Sequence, residues 1–562
     1  MFRKCFVILT LASVAVVSVS ADGMRRAVEA KNGMVVSVSP EASDVGRAIL
    51  KQGGNAVDAA IATAFALAVT HPAAGNIGGG GFMLVHPAPG RGEPVVIEYR
   101  ETAPAAATKD MFPIGASKFG HRVVGVPGTV RGMELAFEQH GSKKLSWRQL
   151  VAPAVKLAAD GFVVDETLAV SLNALLDESP EFAELRRVFG KDGGTDSWRA
   201  GDRLTQPDLG GSLRQIADHG AAAFYEGPVA EKLAAEMKLG GGLITLADLK
   251  GYKAKSRTPI HGTYRGFDVW APPPPSSGGI ALVQMLNMLE TFDLRRQERY
   301  SPETLHLMGE TMRRAFFDRA RHLGDPDFVS IPGHLSTKEY AKSLAATIDP
   351  RRATRSEVLA KDLRIVDSES DSTTHFSVID KDGMAVANTY TLEHSYGSKV
   401  VVRGAGFLLN NEMVDFNVRP GVTTRSGGIG TPANDIAPGK RMLSSQTPTI
   451  LTRDGRVRLV TGSPGSRTII NTVLCIVVNT VDFDMDVQSA VNAPRMHHQW
   501  LPDELRFERS RSITVAEPAL RRMGHRITLS RQGDAHSIAV DPKTGIFQGA
   551  ADGRIRGSAA GY

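Results

Sequence analysis

The stretch DSTTHFSVID, residues 371–380, joins a cluster of small polar side chains to a strand-like pattern. Apolar and polar residues alternate in its second half, which predicts a β-strand, and we expect this strand to be buried. The KDG tripeptide at 381–383 is a strong hairpin signal, and a second strand is expected over 385–392. The hydroxyl groups of Thr373 and Thr374 are therefore expected at the end of a sheet, with a strand directly behind them.

Upstream of this stretch the pattern is mainly helical. Residues 39–54 predict an amphipathic helix that ends at a glycine pair, and Asn55 is expected to cap a second helix over 56–69. The second helix is apolar on nearly every side, so we expect it in the interior. The glycine-rich loop 75–81 leads from helix to strand, the reverse of a phosphate-binding loop, and lacks the G-x-x-x-x-G-K-[ST] pattern. Close backbone packing is the better interpretation of these glycines.

Helix start signals mark the middle of the chain. Capping boxes begin at Ser146 and Ser336, and Ser301 precedes a proline at a first helical position. The proline-rich run 271–279 is expected to form a stiff turn into a helix. Residues 349–369 are polar without a clear period, which predicts an exposed segment leading into the quoted stretch.

Short strands dominate beyond the hairpin, and helices follow them. Strands are expected at 400–402, 406–409, 447–451 and 458–461, and helices at 468–479 and 486–492. Sheets interleaved with helices predict a layered α+β architecture. The chain has 562 residues, 42% of them hydrophobic, which is enough for several domains or one large layered one.

The N-terminus has the pattern of a signal peptide. A basic start, an apolar run of about fifteen residues and small residues up to Ala21 predict cleavage after that residue. An uncleaved anchor is the alternative, although the run is shorter than the ~20 residues of a membrane span. We therefore expect a periplasmic or secreted protein with no membrane attachment once residues 1–21 are removed. Cys5 would leave with them, and Cys475 in its apolar run is expected to be a buried, inert thiol without a disulfide partner.

Several function classes find no support in the sequence. The net charge of +6 is small for this length and no basic run occurs, which argues against nucleic acid as a partner. The patterns H-E-x-x-H, C-x-x-C and G-x-S-x-G do not occur. His497 and His498 are adjacent and have no evident third ligand, so no metal site is expected.

Arg100 ends a predicted strand over 95–100. A guanidinium at a strand end is well placed to hold a carboxylate through two parallel hydrogen bonds. An ion pair with the neighbouring Glu101 is the simpler alternative, and this stretch alone favours it.

What remains is a set rich in hydroxyl groups: Thr373, Thr374, Thr391, Ser444, Ser445 and the turn 461–466. A threonine hydroxyl is a poor nucleophile without a base. An N-terminal threonine carries one in its α-amine, whose pKa of ~7.7–8.0 leaves part of it neutral near pH 7. That amine exists only if the bond between Ser372 and Thr373 is broken. The pattern alone leaves the question open, because Thr-Thr-His before a strand is common.

The quoted stretch resembles the processing-site motif of the γ-glutamyltranspeptidases, which belong to the N-terminal-nucleophile hydrolase superfamily. The resemblance is collinear over essentially the whole mature chain. It includes residues 53–83, YRETAP at 99–104, 273–279, LGDPDF at 323–328, LNNEMVDF at 409–416, LSS at 443–445, 461–465 and 493–502. It implies an α+β fold of four layers in the order αββα.

The resemblance also implies self-cleavage. A cut between Ser372 and Thr373 would give a large subunit, 22–372, and a small subunit, 373–562, that stay associated. Thr373 would then take the γ-glutamyl group of glutathione or a related compound and pass it to water, an amino acid or a peptide. Neither a metal nor an organic cofactor is implied.

Further residues acquire roles from the same resemblance. Thr391 is implied to tune the nucleophile, Arg100, Ser444 and Ser445 to bind the substrate α-carboxylate, Glu412 and Asp415 to bind the α-ammonium, and the backbone at Gly465 and Ser466 to form the oxyanion hole. A glutamyl donor carries an anionic and a cationic group on one carbon, and this set offers matching charges. Losing one oxyanion-hole donor typically costs ~10²–10³ in rate.

Three positions depart from the family pattern. Ser466 stands where a second glycine is usual, and its backbone can serve as a donor if its angles are allowed. Glu393 replaces a common asparagine, and its carboxylate can still bind an ammonium group. Ser426 stands where some members have an aromatic lid residue, and a weaker lid would favour water as the acceptor.

Two other functions are possible alternatives to this one. An acylase for glutaryl or cephalosporin-type side chains belongs to the same superfamily, but its substrates lack the α-ammonium that Glu412 and Asp415 would bind beside Arg100. A periplasmic binding or scaffold protein without turnover belongs to another class, and the intact Thr373 argues against it.

Overall fold

Two seven-stranded antiparallel sheets pack face to face at the centre of the molecule. The computed structural model describes residues 26–113, 115–359, 365–366, 373–425, 427 and 429–562. The predicted signal peptide, Ser372 and Ser426 lie outside these residues.

Sheet I combines strands from both sides of Thr373. In spatial order its strands are Ser558–Gly561, Gly33–Ser37, Thr374–Asp380, Ala385–Thr391, Gly80–His86, Val95–Glu98 and Lys255–Arg257. The predicted hairpin is its centre, because Thr374–Asp380 and Ala385–Thr391 pair across the turn at 381–383. The outer neighbours of the hairpin, Gly33–Ser37 and Gly80–His86, come from the region before Thr373. The two predicted subunits are thus interleaved within one sheet.

Sheet II lies against sheet I and is built mainly from the C-terminal region. In spatial order its strands are Val28–Ala30, Phe547–Ala551, His536–Val540, Arg456–Thr461, Thr449–Arg453, Phe267–Ala271 and Ile260–Tyr264. Short strand pairs lie outside the two sheets: Phe162–Val163 with Arg203–Leu204, Ile365–Val366 with Thr423–Thr424, and Leu505–Phe507 between Met496–His497 and Ile527–Leu529.

Helices cover the outer faces of both sheets. The core of sheet I includes residues from Pro40–Lys51, Ala56–Thr70, Thr129–His140, Trp147–Asp160, Glu166–Glu178, Ala183–Phe189, Pro207–His219, Ala222–Tyr225, Pro228–Gly240 and Leu246–Gly251. The core of sheet II includes residues from Gly278–Leu289, Pro302–His322, Lys338–Ala345, Ser356–Leu359, Thr468–Val481, Val487–Asn492 and Arg511–Arg522. This order of layers confirms the predicted αββα sandwich.

The central strand of sheet I, Thr374–Asp380, is buried on both of its faces. Every residue of Thr374–Asp380 is buried, which confirms the prediction of a buried strand behind Thr373. Phe376 and Val378 belong to the core beneath the helices, whereas Ile379 belongs to the core between the sheets. Because side chains alternate along a strand, the odd-numbered residues, Thr373 included, are directed toward sheet II.

Other local predictions had mixed outcomes. Asn55 forms a capping box with Asp58 at the start of Ala56–Thr70, and this helix is buried along its whole length, both as predicted. The helix predicted to start after Ser336 is capped by Thr337 instead, whose side chain accepts from the Tyr340 amide. The strands predicted at 400–402 and 406–409 are wrong, since only an isolated bridge between Val401 and Leu408 forms there.

Two further features follow the apolar pattern of the chain. Cys475 is buried and not in a disulfide, inside the helix Thr468–Val481, as its apolar run predicted. Among the described helices, none combines the length and the apolar character that crossing a bilayer requires.

Buried histidines predict that the fold loses stability in acid. Burial lowers the pKa of His71 and of His497 to about 3, and that of His375 well below its usual range. The unfolded chain takes up these protons below pH ~6.5 while the folded chain does not, so stability falls as the pH falls through that value. We expect the urea midpoint to decrease between about pH 6.5 and 4.5. His497→Asn should make the urea midpoint less dependent on pH, whereas His219→Asn, at an exposed position, should leave the dependence unchanged. Equal slopes of the urea midpoint against pH in the wild-type protein and both variants would contradict the prediction.

Candidate active site

A cavity of about 560 Å³ opens at the end of the central hairpin that lies away from its turn. Eight of the predicted site residues line it: Arg100, Thr373, Thr391, Glu393, Asp415, Ser444, Ser445 and Ser466. Glu412 is fully buried behind Arg100, and Gly465 precedes Ser466 outside the lining. The structure therefore brings together residues that are up to about 370 positions apart in the chain.

Thr373 and Thr391 lie at neighbouring strand ends. The register pairs Thr374 with Tyr390, and one further step places Thr373 opposite Thr391. Residues directly opposite on antiparallel strands share a face, with Cβ atoms about 4.5–5.5 Å apart. The Thr391 hydroxyl also accepts a hydrogen bond of 2.8 Å from the Glu393 amide. This bond belongs to a tight turn in which Glu393 has a φ of 76°.

Arg100 is the charged centre of the inner end of the cavity. Its Nη2 lies 2.7 Å from Glu412 and 2.5 Å from Asp415, and its Nη1 lies 3.4 Å from Glu101. The Arg100–Glu101 ion pair, which was the simpler alternative, is thus present. It is the longest of the three contacts that Arg100 makes with carboxylates. Arg100, Glu101 and Glu412 are essentially inaccessible to solvent, whereas the Asp415 side chain is 26% exposed and reaches the cavity.

The electrostatics of this group follow from burial and mutual attraction. Burial by itself would lower the pKa of Arg100, but Glu412, Glu101 and Asp415 raise it overall, so the guanidinium stays charged. Burial raises the pKa of Glu412 well above its usual range, although Arg100 opposes this shift. Burial likewise raises the pKa of Glu101 to about 7. A single cation does not balance the charge of several carboxyl groups, so a second cationic group can bind beside them.

These carboxylates do not require a metal ion. Oxygens of Glu393, Glu412 and Asp415 lie within 4.8 Å of one another, and the Arg100 guanidinium already neutralises part of their charge. A second group that could hold a metal, His306, Glu310 and His525, is also engaged with protein partners. Glu310 pairs with two arginines, and the two histidines contact each other at 2.8 Å.

Ser444 and Ser445 are held against the proline-rich turn. The Ser444 carbonyl accepts hydrogen bonds from the Ser277 amide at 2.8 Å and from the Ser277 hydroxyl at 2.6 Å. Arg319 completes the arrangement, donating to the Ser445 hydroxyl at 2.9 Å and to the Ser277 hydroxyl at 2.8 Å. Sequence reasoning missed Arg319, because it lies inside the long helix Pro302–His322 and carries no motif of its own.

The loop 462–466 joins the end of a sheet II strand to a helix. Gly465 has a φ of 120°, and a Cβ atom there would lie 2.4 Å from the Thr468 hydroxyl. Ser466 has a φ of 48°, which is the left-handed region that L-residues adopt at some cost. The Ser466 backbone therefore adopts this turn although the residue carries a side chain, and Ser466 lines the cavity.

Known proteins are similar to this chain over most of its length. The family model described as gamma-glutamyltranspeptidase matches residues 42–562. The glutathione hydrolase proenzyme of Escherichia coli is 47% identical over 546 residues, covering 95% of this chain and 93% of the relative.

Two solved structures are similar as well. A cephalosporin acylase from Bacillus halodurans superposes with a TM-score of 0.83 at 26% identity, covering 100% of this chain and 99% of that one. A gamma-glutamyltranspeptidase from Helicobacter pylori superposes with a TM-score of 0.55 at 41% identity, covering 59% of this chain and 93% of that one. The family model and the E. coli relative both extend over most of the sequence. The chain therefore belongs to the γ-glutamyltranspeptidase family.

Proposed function

We propose that this enzyme is a self-processing γ-glutamyltranspeptidase and glutathione hydrolase whose nucleophile is Thr373. The observation that carries the proposal is the inner end of the cavity, where one arginine and several carboxyl groups meet beside Thr373. An α-amino acid end presents one carboxylate and one ammonium group on the same carbon. Arg100 and Asp415, which pair with each other here, offer each of those groups a partner of opposite charge.

Maturation needs only the chain itself and water. The Thr373 hydroxyl would attack the carbonyl carbon of Ser372, and the peptide nitrogen would leave as the free α-amine of Thr373. Water would then hydrolyse the resulting ester, restoring the hydroxyl and releasing the carboxyl group of Ser372. The proenzyme name of the E. coli relative supports such a step. The interleaved strands of sheet I support two products, 22–372 and 373–562, that stay associated.

Turnover would use the same hydroxyl. The α-amine of Thr373 takes its proton as the oxygen attacks the γ-carbonyl carbon of the donor. Backbone N–H groups of the loop around Gly465 and Ser466 would stabilise the negative charge on the carbonyl oxygen. The amine portion of the donor leaves with a proton, and water or the amine of an amino acid or peptide then releases the glutamyl group. Thr391, opposite Thr373 in the register, would hold the nucleophile in position.

An acylase is the second candidate function, and the acylase from B. halodurans supports it through its close superposition. Glutaryl side chains carry a carboxylate at the far end but no ammonium group. The carboxyl groups of Asp415, Glu412 and Glu393 beside Arg100 would then lack a positively charged substrate partner. This cost favours glutamyl over glutaryl donors.

A comparison of two donors tests the choice between these functions. We expect purified protein to run as two fragments on a denaturing gel and to turn over γ-glutamyl-p-nitroanilide at least tenfold faster than glutaryl-p-nitroanilide, because one charged hydrogen bond is worth about 1.5–3 kcal/mol. Asp415→Asn should slow turnover of the glutamyl donor and leave turnover of the glutaryl donor unchanged, so the ratio of the two rates should fall. An uncut chain, or faster turnover of the glutaryl donor, would contradict the proposal.

The loop of the oxyanion hole gives a separate prediction. Gly465→Ala should lower kcat by about 10²–10³-fold, because its Cβ atom would clash with the Thr468 hydroxyl and displace the loop. Ser466→Gly is the matched control, and we expect it to keep or raise kcat, since glycine adopts a φ of 48° without strain. Both rates are measured on processed protein with γ-glutamyl-p-nitroanilide. A Gly465→Ala enzyme with normal kcat would exclude this loop from the oxyanion hole.

The site of action follows from the predicted leader. Residues 1–21 support export, and the mature enzyme would act in the periplasm or outside the cell on small γ-glutamyl compounds. Mass spectrometry of the mature large subunit tests this, since its N-terminus should be Asp22. A large subunit that retains residues 1–21 would contradict the proposal.

A further inference from the structure

The charged residues that line the cavity fall into two groups. The carboxylates that line it, Glu393 and Asp415, both belong to the group around Arg100 at the inner end. The remaining charged residues of the lining are all cationic: Lys118, Arg319, Arg419, Arg467 and Arg506. Arg319 is buried and holds Ser445, and Arg506 pairs with Glu504 at 2.9 Å.

Arg419 and Arg467 differ from Arg319 and Arg506, because neither forms an ion pair within the described part of the chain. Both are half-buried on the cavity wall. Arg467 directly follows Ser466, and its guanidinium donates a hydrogen bond to the Gly427 carbonyl. Arg419 lies four residues beyond Asp415. A half-buried guanidinium without a counter-ion is a good partner for a carboxylate, because each has a planar, two-pronged hydrogen-bonding edge.

The position of the nucleophile determines which part of a donor meets these arginines. The glutamyl end fits the closed, buried end around Arg100, and the bond to be broken lies at Thr373 and Ser466. The amine portion must therefore extend toward the open end of the cavity. In a γ-glutamyl peptide that portion ends in a carboxylate, and two residues reach about 7 Å.

We propose that Arg419 and Arg467 form an anion subsite for the carboxylate of the leaving amine, so that the enzyme prefers γ-glutamyl peptides and amino acids over γ-glutamyl compounds with uncharged leaving groups. This inference rests on the proposed function and specifies its substrate class. The same subsite receives the carboxylate of an amino acid or peptide acceptor, which occupies the position that the leaving amine has vacated.

A pair of donors that differ only at the distal carboxylate provides the test. Glutathione is compared with glutathione whose glycine carboxyl group is converted to an amide, and kcat/KM is measured for both with processed enzyme. We expect the wild-type enzyme to favour glutathione by roughly twofold to fivefold, the range of one partly screened ion pair. Arg419→Gln and Arg467→Gln should each bring this ratio closer to one. Each enzyme change combined with the substrate change makes a double-mutant cycle, which measures the coupling between that arginine and the distal carboxylate.

Two controls separate the subsite from the general charge of the protein. Arg419→Lys keeps the positive charge and should keep most of the preference. Arg214→Gln removes the same charge from an exposed helix position outside the cavity and should leave the ratio unchanged. Added salt should lower the wild-type ratio toward one, a result that needs no variant and so remains decisive if a variant misfolds.

The possible outcomes distinguish a failure of the anion subsite from a failure of the proposed function. A ratio that stays the same in both glutamine variants and does not respond to salt would overturn the anion subsite while leaving glutamyl transfer intact. Failure of the processed wild-type enzyme to turn over either donor would overturn the proposed function itself, and the subsite with it. A reduced ratio in both glutamine variants, with the Arg214→Gln ratio unchanged, would support the assignment.

Discussion

Thr373→Ala is expected to remain a single uncut polypeptide and to show no γ-glutamyl turnover. The hydroxyl of Thr373 is the group that would attack Ser372 during maturation and the donor during turnover, and a methyl group can do neither. Loss of a hydrolase nucleophile typically lowers kcat by about 10⁶-fold. A denaturing gel followed over days, together with N-terminal sequencing of any small fragment, measures the first effect, and release of p-nitroaniline measures the second.

Two neighbouring variants make this result specific. Thr373→Ser keeps a hydroxyl group and should still be cut, although more slowly. Thr374→Ala changes the next residue, which is directed toward the helices rather than toward the cavity, and it should be processed normally. Normal cleavage of Thr373→Ala would refute the role assigned to Thr373, whereas an uncut Thr374→Ala would indicate that the strand itself was disturbed.

Arg100→Met is expected to produce the second largest effect, on both activity and stability. In the donor complex, Arg100 would lose its hydrogen bonds to the α-carboxylate, and kcat/KM should fall by about 10²–10³-fold. In the free enzyme, Glu412 and Asp415 would lose their cationic partner in a buried setting. Removing one partner of a buried ion pair typically costs about 3–5 kcal/mol. Urea unfolding and steady-state kinetics on the processed fraction measure the two losses.

A second substitution separates binding from stability. Adding Glu412→Gln to Arg100→Met removes a buried carboxylate that has lost its partner, so part of the lost stability should return. Activity should not return, because the double variant still lacks a cation for the substrate carboxylate. If Arg100→Met retains a wild-type KM for γ-glutamyl donors, the assigned role of Arg100 is wrong.

Local patterns predicted the elements whose causes are local. The Asn55 capping box and the turn at 381–383 depend on residues within three or four positions, so the boundaries of Ala56–Thr70 and of the central hairpin could be predicted. The strand before Arg100 was recognised in the same way, although it ends at Glu98, two residues before the arginine. The four-layer architecture and the roles of the site residues came from the family resemblance and not from such patterns.

Long-range packing determined the contacts that local patterns could not show. The strand Thr374–Asp380 is buried on both faces because sheet II covers the face that carries its polar residues. Ser377 donates to the His536 carbonyl, a contact across 159 positions of the chain. Arg319 meets Ser445 across 126 positions. No sequence window of helix or strand length contains both partners of either contact.

The sequence by itself determined the hairpin, the flanking helices and, through its motifs, the family and the nucleophile to be tested. Only the tertiary structure showed that Arg100 is already paired with Glu412 and Asp415, that Arg319 holds Ser445, and that Arg419 and Arg467 line the same cavity. The physical reason is that propensity and capping act over a few residues. The charge balance of a cavity, in contrast, is the sum of groups that folding brings together from distant parts of the chain.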